Sequence, residues 1–315
     1  MQICNWKIDP VLKKEIDQHY RTNFALSIKN EPVINIVKKI TFDSVAPSIT
    51  IKDVKVFMDY IDATFLSKGI KGVGLEVGGG CGFFSALLAS YPAVEKIYSV
   101  EICENIVREL MPKVIAEVAS ENKAFEKVIG CVGDFDRLEV PDASVDFVFD
   151  FYSLHHSSDI KKTFTEICRV LKPGGFIFCF DKTRANSLTA EGLEKLLDTE
   201  YSSETKKSMG LPPNIFHTRR MNGEKEYRLK DWQSAFLSAG FKTFKHYHIA
   251  RLSKVTSLVT CIKKFLSYLP IPLQTLCTKI LSRDGNKNNL EQSHKIYTKF
   301  VNNFPKEISL MVVYK

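Results

Sequence analysis

Glu76-Val77-Gly78-Gly79-Gly80-Cys81-Gly82 is the densest chemical signal in the chain. A short apolar run, Val73 to Val77, leads into it, and a helix-forming run from Phe83 to Ser90 leaves it. Glycines at such a junction let the backbone pass close to a ligand and adopt positive φ where a Cβ would clash. The helix that follows presents free N–H groups at its start. The spacing is G-x-G-x-G, and Phe83 stands near where the dinucleotide fingerprint G-x-G-x-x-G needs a small residue. No G-K-[ST] is present at the loop, which excludes a P-loop. Two acids follow at matching places. Glu101 ends the second predicted strand, where a carboxylate can accept both ribose hydroxyls. Asp134 ends the third within Val132-Gly133-Asp134-Phe135, where it can accept an adenine amino group with Phe135 or Ile102 against the ring.

These residues need elements that bring strand ends together. Strands are predicted at 73–77, 96–100, 127–131, 145–149 and 175–180, with helices at 83–90, 102–119 and 159–171 between them. Strands alternating with helices imply right-handed crossovers and a parallel, doubly wound sheet. Lys172-Pro173-Gly174-Gly175 supplies a helix stop and turn. The first 70 residues read as a helical cap, with a helix around 9–30 and another from Val54 to Leu66. A helix from Leu229 to Ala239, an extended 241–248 and a β-branched 308–314 complete the pattern.

The loop, the acid at the second strand and the Gly-Asp at the third together resemble a class I S-adenosylmethionine (SAM)-dependent methyltransferase, of the methyltransferase type 11 kind. The segments VPDASVDFVFDFYSLHH (140–156) and EICRVLKPGG (166–175) are similar to that family's fourth- and fifth-strand motifs. The resemblance implies a mostly parallel, seven-stranded, Rossmann-like α/β sheet with N-terminal helices and a helical insertion as caps. The implied divisions are a cap over 1–70, a SAM-binding core over 71–248 with a substrate-side segment at 182–228, an insertion over 249–306, and a final core strand at 307–315. It further implies that Glu76, Gly78, Gly80 and Gly82 line the methionine and ribose, Glu101 the ribose diol, and Asp134 with Phe135 the adenine. Asp150 and Phe151, with Tyr152 and Ser153 beyond, would lie under the transferred methyl.

The acceptor is less legible. Methyl transfer is an in-line displacement that needs alignment, exclusion of water and, for a hydroxyl, removal of a proton. Asp150-Phe151-Tyr152-Ser153 is not the [DNS]-P-P-[YF] of base-methylating enzymes, and no Pro-Cys occurs, so base methylation drops. Candidate bases are His156, His155, Asp181, His217 and Glu226, His156 and His155 foremost because histidine titrates near neutral pH. A histidine there also serves as a cap or as packing. Between Phe216 and Arg228 lie two arginine groups and two carboxylates around Asn222-Gly223, a hairpin signal. Tyr152, His217, Arg219, Arg220, Glu226 and Arg228 would suit an anionic or hydroxyl-rich small molecule, the alternative being a solvated hairpin. The expected acceptor is a hydroxyl, less readily an amine, on a sugar, glycolipid or secondary-metabolite intermediate. The rivals are RNA or protein methylation, and SAM binding without transfer.

Composition narrows the partners. The 315 residues carry a net charge of +8, with 44% hydrophobic and 25% charged residues, values of an ordinary globular chain. The excess charge is local. Residues 241–315 hold 13 Lys and Arg against Asp284, Glu291 and Glu307, a balance of +10, whereas the first 240 hold 31 basic and 33 acidic residues, a balance of −2. Six basic residues and no acid lie between Arg251 and Arg283, with Ile262, Phe265, Leu266 and Leu269 at helical spacing. That segment reads as a lid, a membrane-surface or lipid-linked-substrate contact, or a nucleic-acid patch. The scarcity of aromatics weakens the last. The acids and lysines among the first 30 residues read against a secretory leader, so a cytoplasmic chain, peripheral to a membrane at most, is expected. Eight scattered cysteines without C-x-x-C read as reduced, buried thiols and give no zinc site.

Overall fold

In a computed structural model that describes residues 1–42, 50–119, 124–248 and 308–315, the predicted alternation folds into one eight-stranded sheet. Its strands are β1 (Gln2–Asn5), β2 (Gly72–Val77), β3 (Val94–Glu101), β4 (Val128–Val132), β5 (Val145–Phe151), β6 (Leu171–Lys182), β7 (Thr243–His248) and β8 (Ile308–Tyr314). The order is β1-β4-β3-β2-β5-β6-β8-β7. β1 to β6 run parallel, and β8 lies antiparallel between β6 and β7. β2 and β5 are neighbours whose outgoing connections wind in opposite directions, which opens a crevice at their carboxyl ends.

The helices are α1 (Pro10–Gln18), α2 (Tyr20–Ile28), α3 (Val33–Val37), α4 (Ile51–Phe65), α5 (Phe83–Ala89), α6 (Met111–Val118), α7 (Ala124–Lys127), α8 (Ile160–Val170), α9 (Ala190–Leu197), α10 (Ser203–Ser208) and α11 (Leu229–Ser238). The central strands are apolar on both faces because helices cover both. On one face, Phe147, Phe149 and Phe151 of β5 lie beside Phe176, Phe178 and Phe180 of β6, with Phe149 and Phe178 centroids 4.8 Å apart. The alternating residues Val148 and Ile177 face the other side, where α8 and α11 stack Phe164 on Phe236 at 3.8 Å over Trp232.

Three local readings change. The doubly wound sheet has eight strands, because residues 2–5 add a parallel edge strand where only helices were expected. Four residues that begin and end on polar Gln2 and Asn5 are too short to show a strand period. The helix expected at 9–30 is two helices, parted at His19 with ψ 139, whose Nδ1 accepts Arg21 N–H to start α2. Lys172 to Gly175 lie within β6 as an irregularity in its pairing with β5 rather than before it, with Gly174 at φ 73. The expected basic insertion at 249–306, including 251–283, lies outside the described residues. Among the described residues no helix is long and apolar enough to cross a membrane.

Candidate active site

The carboxyl ends of β2, β3, β4 and β5 open into a cleft of about 1230 Å³. Its floor starts at the glycine loop. Gly78 has φ 65, and a Cβ there would stand 2.2 Å from Ser153 Cβ and Oγ, so only glycine fits between β2 and the turn after β5. Gly80, at φ 49, donates its N–H to Glu101 Oε2 at 3.1 Å, while Cys103 N–H donates to Oε1 at 2.9 Å. One carboxylate thus ties the glycine loop to the end of β3. Gly82 differs from expectation. Its missing Cβ faces Met111 and Ile115, so it lets α5 pack on α6 and does not line the cleft.

Glu76 lies on the cleft yet is almost fully buried, accepting a hydrogen bond from Ser85 Oγ. Burial, reinforced by the nearby charge of Glu101, pushes its carboxyl up to about 8. Ile102, Asp134 and Phe135 line the outer end. Asp134 Oδ1 accepts Asp136 N–H at 2.8 Å, and burial with the neighbouring acids raises its carboxyl.

At the end of β5 the chain turns sharply. Tyr152 sits at φ 60, a left-handed conformation costly for a tyrosine, held by its N–H on Phe180 O at 2.8 Å. Phe151 and Tyr152 line the cleft. Asp150 lies beneath it, its Oδ1 accepting from Ser153 Oγ, from Ser153 N–H at 3.1 Å and from Leu154 N–H at 3.0 Å. Its Oδ2 is buried without a hydrogen-bond partner among the described residues. Burial and the charge of Asp181 push the Asp150 carboxyl well above the usual range.

His155 and His156 both line the cleft but differ in support. His155 is 1% exposed. Its Nδ1 is 2.7 Å from Asp181 Oδ1, and its backbone N–H donates to Oδ2 at 3.0 Å. Its Nε2 is buried without a hydrogen-bond partner among the described residues. Asp181, at the end of β6, lies behind this ring and not on the cleft surface. His156 has no such orienting carboxylate among the described residues, and burial with the neighbouring His155 holds it well below the ordinary histidine range. Of the two histidines expected as candidate bases, His155 is the one set against a carboxylate.

The substrate-side residues divide. Arg219 lines the cleft, 3.1 Å from Glu224 Oε2 and 3.6 Å from Glu226 Oε1. Glu226 is a buried counterion, 3.3 Å from Lys182 and bidentate to Arg184 at 2.6 and 3.0 Å. Lys182 and the Tyr201 hydroxyl both donate to Glu224. Burial alone would raise Glu224, but the Lys182 charge and these bonds hold it far below the usual carboxylate range. His217 is buried under the roof, edge-on to Tyr20 at 5.8 Å and stacked against Tyr201 at 6.0 Å. Arg220 sits at the rim, paired with Glu194 and Asp198. Arg228 is off the cleft altogether, bound to Asp231 in the first turn of α11. Nor is 216–228 a hairpin. Asn222 and Gly223 close a compact turn through bonds to Thr218, Arg219 and Arg220 carbonyls.

Sequence reasoning missed Tyr20 and Arg21 of α2, which roof the cleft, and Lys182, Arg184, Tyr201 and Glu224 in its wall. The two cations after Asp181, at the end of β6, were a usable signal. Tyr20 and Arg21 had none, since they lie far from the glycine loop in sequence.

Residues 75–179, from β2 into β6, match the model of the methyltransferase domain family. Among curated relatives, a malonyl-[acyl-carrier protein] O-methyltransferase from Methylococcus capsulatus is 32% identical over 102 residues, covering 32% of this chain and 34% of the relative. A ubiquinone/menaquinone biosynthesis C-methyltransferase from Rickettsia massiliae is 28% identical over 107 residues, covering 34% of this chain and 43% of the relative. The chain therefore spans a third to under half of these relatives' length. A solved structure of Haemonchus contortus phosphoethanolamine N-methyltransferase 2, in complex with SAM, aligns with a TM-score of 0.52 at 14% identity, covering 98% of this chain and 60% of that one. Residues 75–179 of this chain therefore carry a methyltransferase domain, and the alignment with the solved structure agrees with its fold.

Proposed function

We propose that the whole chain transfers a methyl group from SAM to a hydroxyl on a polar small molecule, with His155 as the base. The observation that carries this is the buried His155–Asp181 pair at the cleft, with Nε2 unpaired among the described residues. A histidine donating Nδ1–H to a carboxylate presents a lone pair at Nε2, the arrangement that accepts a proton from a hydroxyl. An amine that loses its proton to water, or a carbon acceptor, gains less from such a pair. The three named comparison proteins are an O-, a C- and an N-methyltransferase, so the acceptor atom is read from this chain's own residues.

The cleft residues fit the cofactor. Glu76 is a buried carboxyl that pairs with no cation among the described residues, suited to the ammonium of the methionine moiety. Glu101 keeps a free acceptor site on each oxygen for the ribose diol. Asp134, which lines the cleft with Ile102 and Phe135, suits an adenine amino group. SAM would supply an electrophilic methyl on sulfur. The chain would hold the acceptor in line with it, exclude water under the α1–α2 roof, and take the acceptor's proton on His155 Nε2. Three cations, Lys182, Arg184 and Arg219, stand against Glu224 and Glu226 in the wall, which favours an acceptor carrying hydroxyls or a negative group, such as a sugar or a biosynthetic intermediate.

Calorimetric titration with SAM and S-adenosylhomocysteine, then turnover of labelled SAM against hydroxylated, amine and carbon acceptor pools, tests the reading. Label on hydroxylated acceptors, lost in His155→Ala, supports it. Label on amines or carbon only, or SAM binding with no turnover in any pool, overturns it.

A further inference from the structure

Cys4 on β1 and Cys131 on β4 are directly opposed in parallel register, and their Sγ atoms are 3.0 Å apart. Neighbouring strands lie about 4.8 Å apart, within the ~4.4–6.8 Å Cα window of a disulfide. The two thiols differ. Cys131 is fully buried, whereas Cys4 is partly exposed, the most exposed of the described cysteines. The Cys131 contact lowers the Cys4 thiol to about 7, and the same contact with burial pushes Cys131 far up. One sulfur is therefore accessible and readily ionised, and the other is held protonated against it.

We propose that Cys4 and Cys131 are a peroxide-responsive dithiol that closes into a disulfide between edge strand β1 and β4. The Cys4 thiolate attacks one peroxide oxygen and the O–O bond breaks. Cys4 becomes a sulfenic acid, and the departing hydroxide takes a proton to leave as water. The Cys131 sulfur then attacks the Cys4 sulfur, and the displaced hydroxide takes the Cys131 proton as a second water. Two thiols and one hydrogen peroxide thus give one disulfide and two waters. The link has a route to the cleft. Trp6, just beyond β1, donates its backbone N–H to Val132 O at 2.8 Å, and its ring covers Gly133, next to Asp134 and Phe135. Closure would fasten β1 to the strand that leads into the outer end of the cleft.

The full-length reduced chain, treated with one equivalent of hydrogen peroxide, alkylated and digested with trypsin, tests this. The main oxidised product should be peptides Met1–Lys7 and Val128–Arg137 joined, two hydrogens lighter than their sum and separated by reductant. Cys4→Ser and Cys131→Ser, each first shown to melt as the reduced wild type does, should both lose the joined peptide. Cys4 carried to sulfinic acid beside a free Cys131, Cys4 joined to another cysteine, or Cys4 unreacted while other cysteines oxidise, each overturns the assignment.

Discussion

Replacing Glu101 by alanine probes the cofactor loop most directly. The carboxylate is 8% exposed and accepts one N–H on each oxygen, from Gly80 at 3.1 Å and from Cys103 at 2.9 Å. Each oxygen offers about two acceptor sites, so one per oxygen remains for a ribose hydroxyl. Alanine removes both ligand bonds and leaves the two backbone N–H groups without their partner. Charge-assisted hydrogen bonds contribute about 1.5–3 kcal/mol each, and two at the lower limit amount to ~3 kcal/mol, or roughly 150-fold in Kd. Glu101→Gln should fall between, because its amide keeps one acceptor oxygen but turns N–H donors toward a backbone donor. Calorimetric titration with SAM and S-adenosylhomocysteine at two salt concentrations reads the effect, with thermal melting to show that the variants fold. The loss should persist at both salt concentrations, since the group is screened little by solvent ions. A folded Glu101→Ala that binds within twofold of the wild type would falsify the ribose assignment.

Three further outcomes follow from the site. Asp181→Asn should leave cofactor affinity near the wild type but lower transfer by about 10²–10⁴-fold, because the amide no longer holds His155 in the tautomer with a free Nε2; equal losses in binding and turnover would show a structural effect instead. Glu76 is raised from 4.5 to about 8 in the folded chain, so the folded state binds its proton more tightly than the unfolded state across that window. Stability of the cofactor-free protein should therefore fall as pH rises from about 4.5 through 8, and Glu76→Gln should flatten the trend in melting curves; an unchanged slope would place the titration elsewhere. Gly78→Ala forces a Cβ to 2.2 Å from Ser153 at φ 65, so it should cost at least ~2 kcal/mol in denaturant unfolding, and Ser153→Ala should not rescue it because the Ser153 Cβ is equally close.

Much of the core was legible because it is local. Val73 to Val77, the alternate glycines after it, and the acids at Glu101 and Asp134 each announce themselves within a few residues, and strand–helix alternation forces parallel strands whose carboxyl ends converge. Residue types at those strand ends therefore pointed to a binding edge there.

What the tertiary structure decided involves partners distant in the chain. His155 and His156 are equivalent in sequence, and only the packing of β6 beside β5 sets Asp181 against one of them. Arg219 and Arg228 look alike in one segment, yet the fold turns the first toward Lys182's carboxylates and spends the second on the start of α11. Tyr20 and Arg21 join the cleft because α2 folds over it, and Cys4 meets Cys131 because four N-terminal residues add an edge strand. Short-range pattern specifies backbone elements, whereas ionisation, pairing and solvent exclusion depend on three-dimensional neighbours, which no spacing rule encodes.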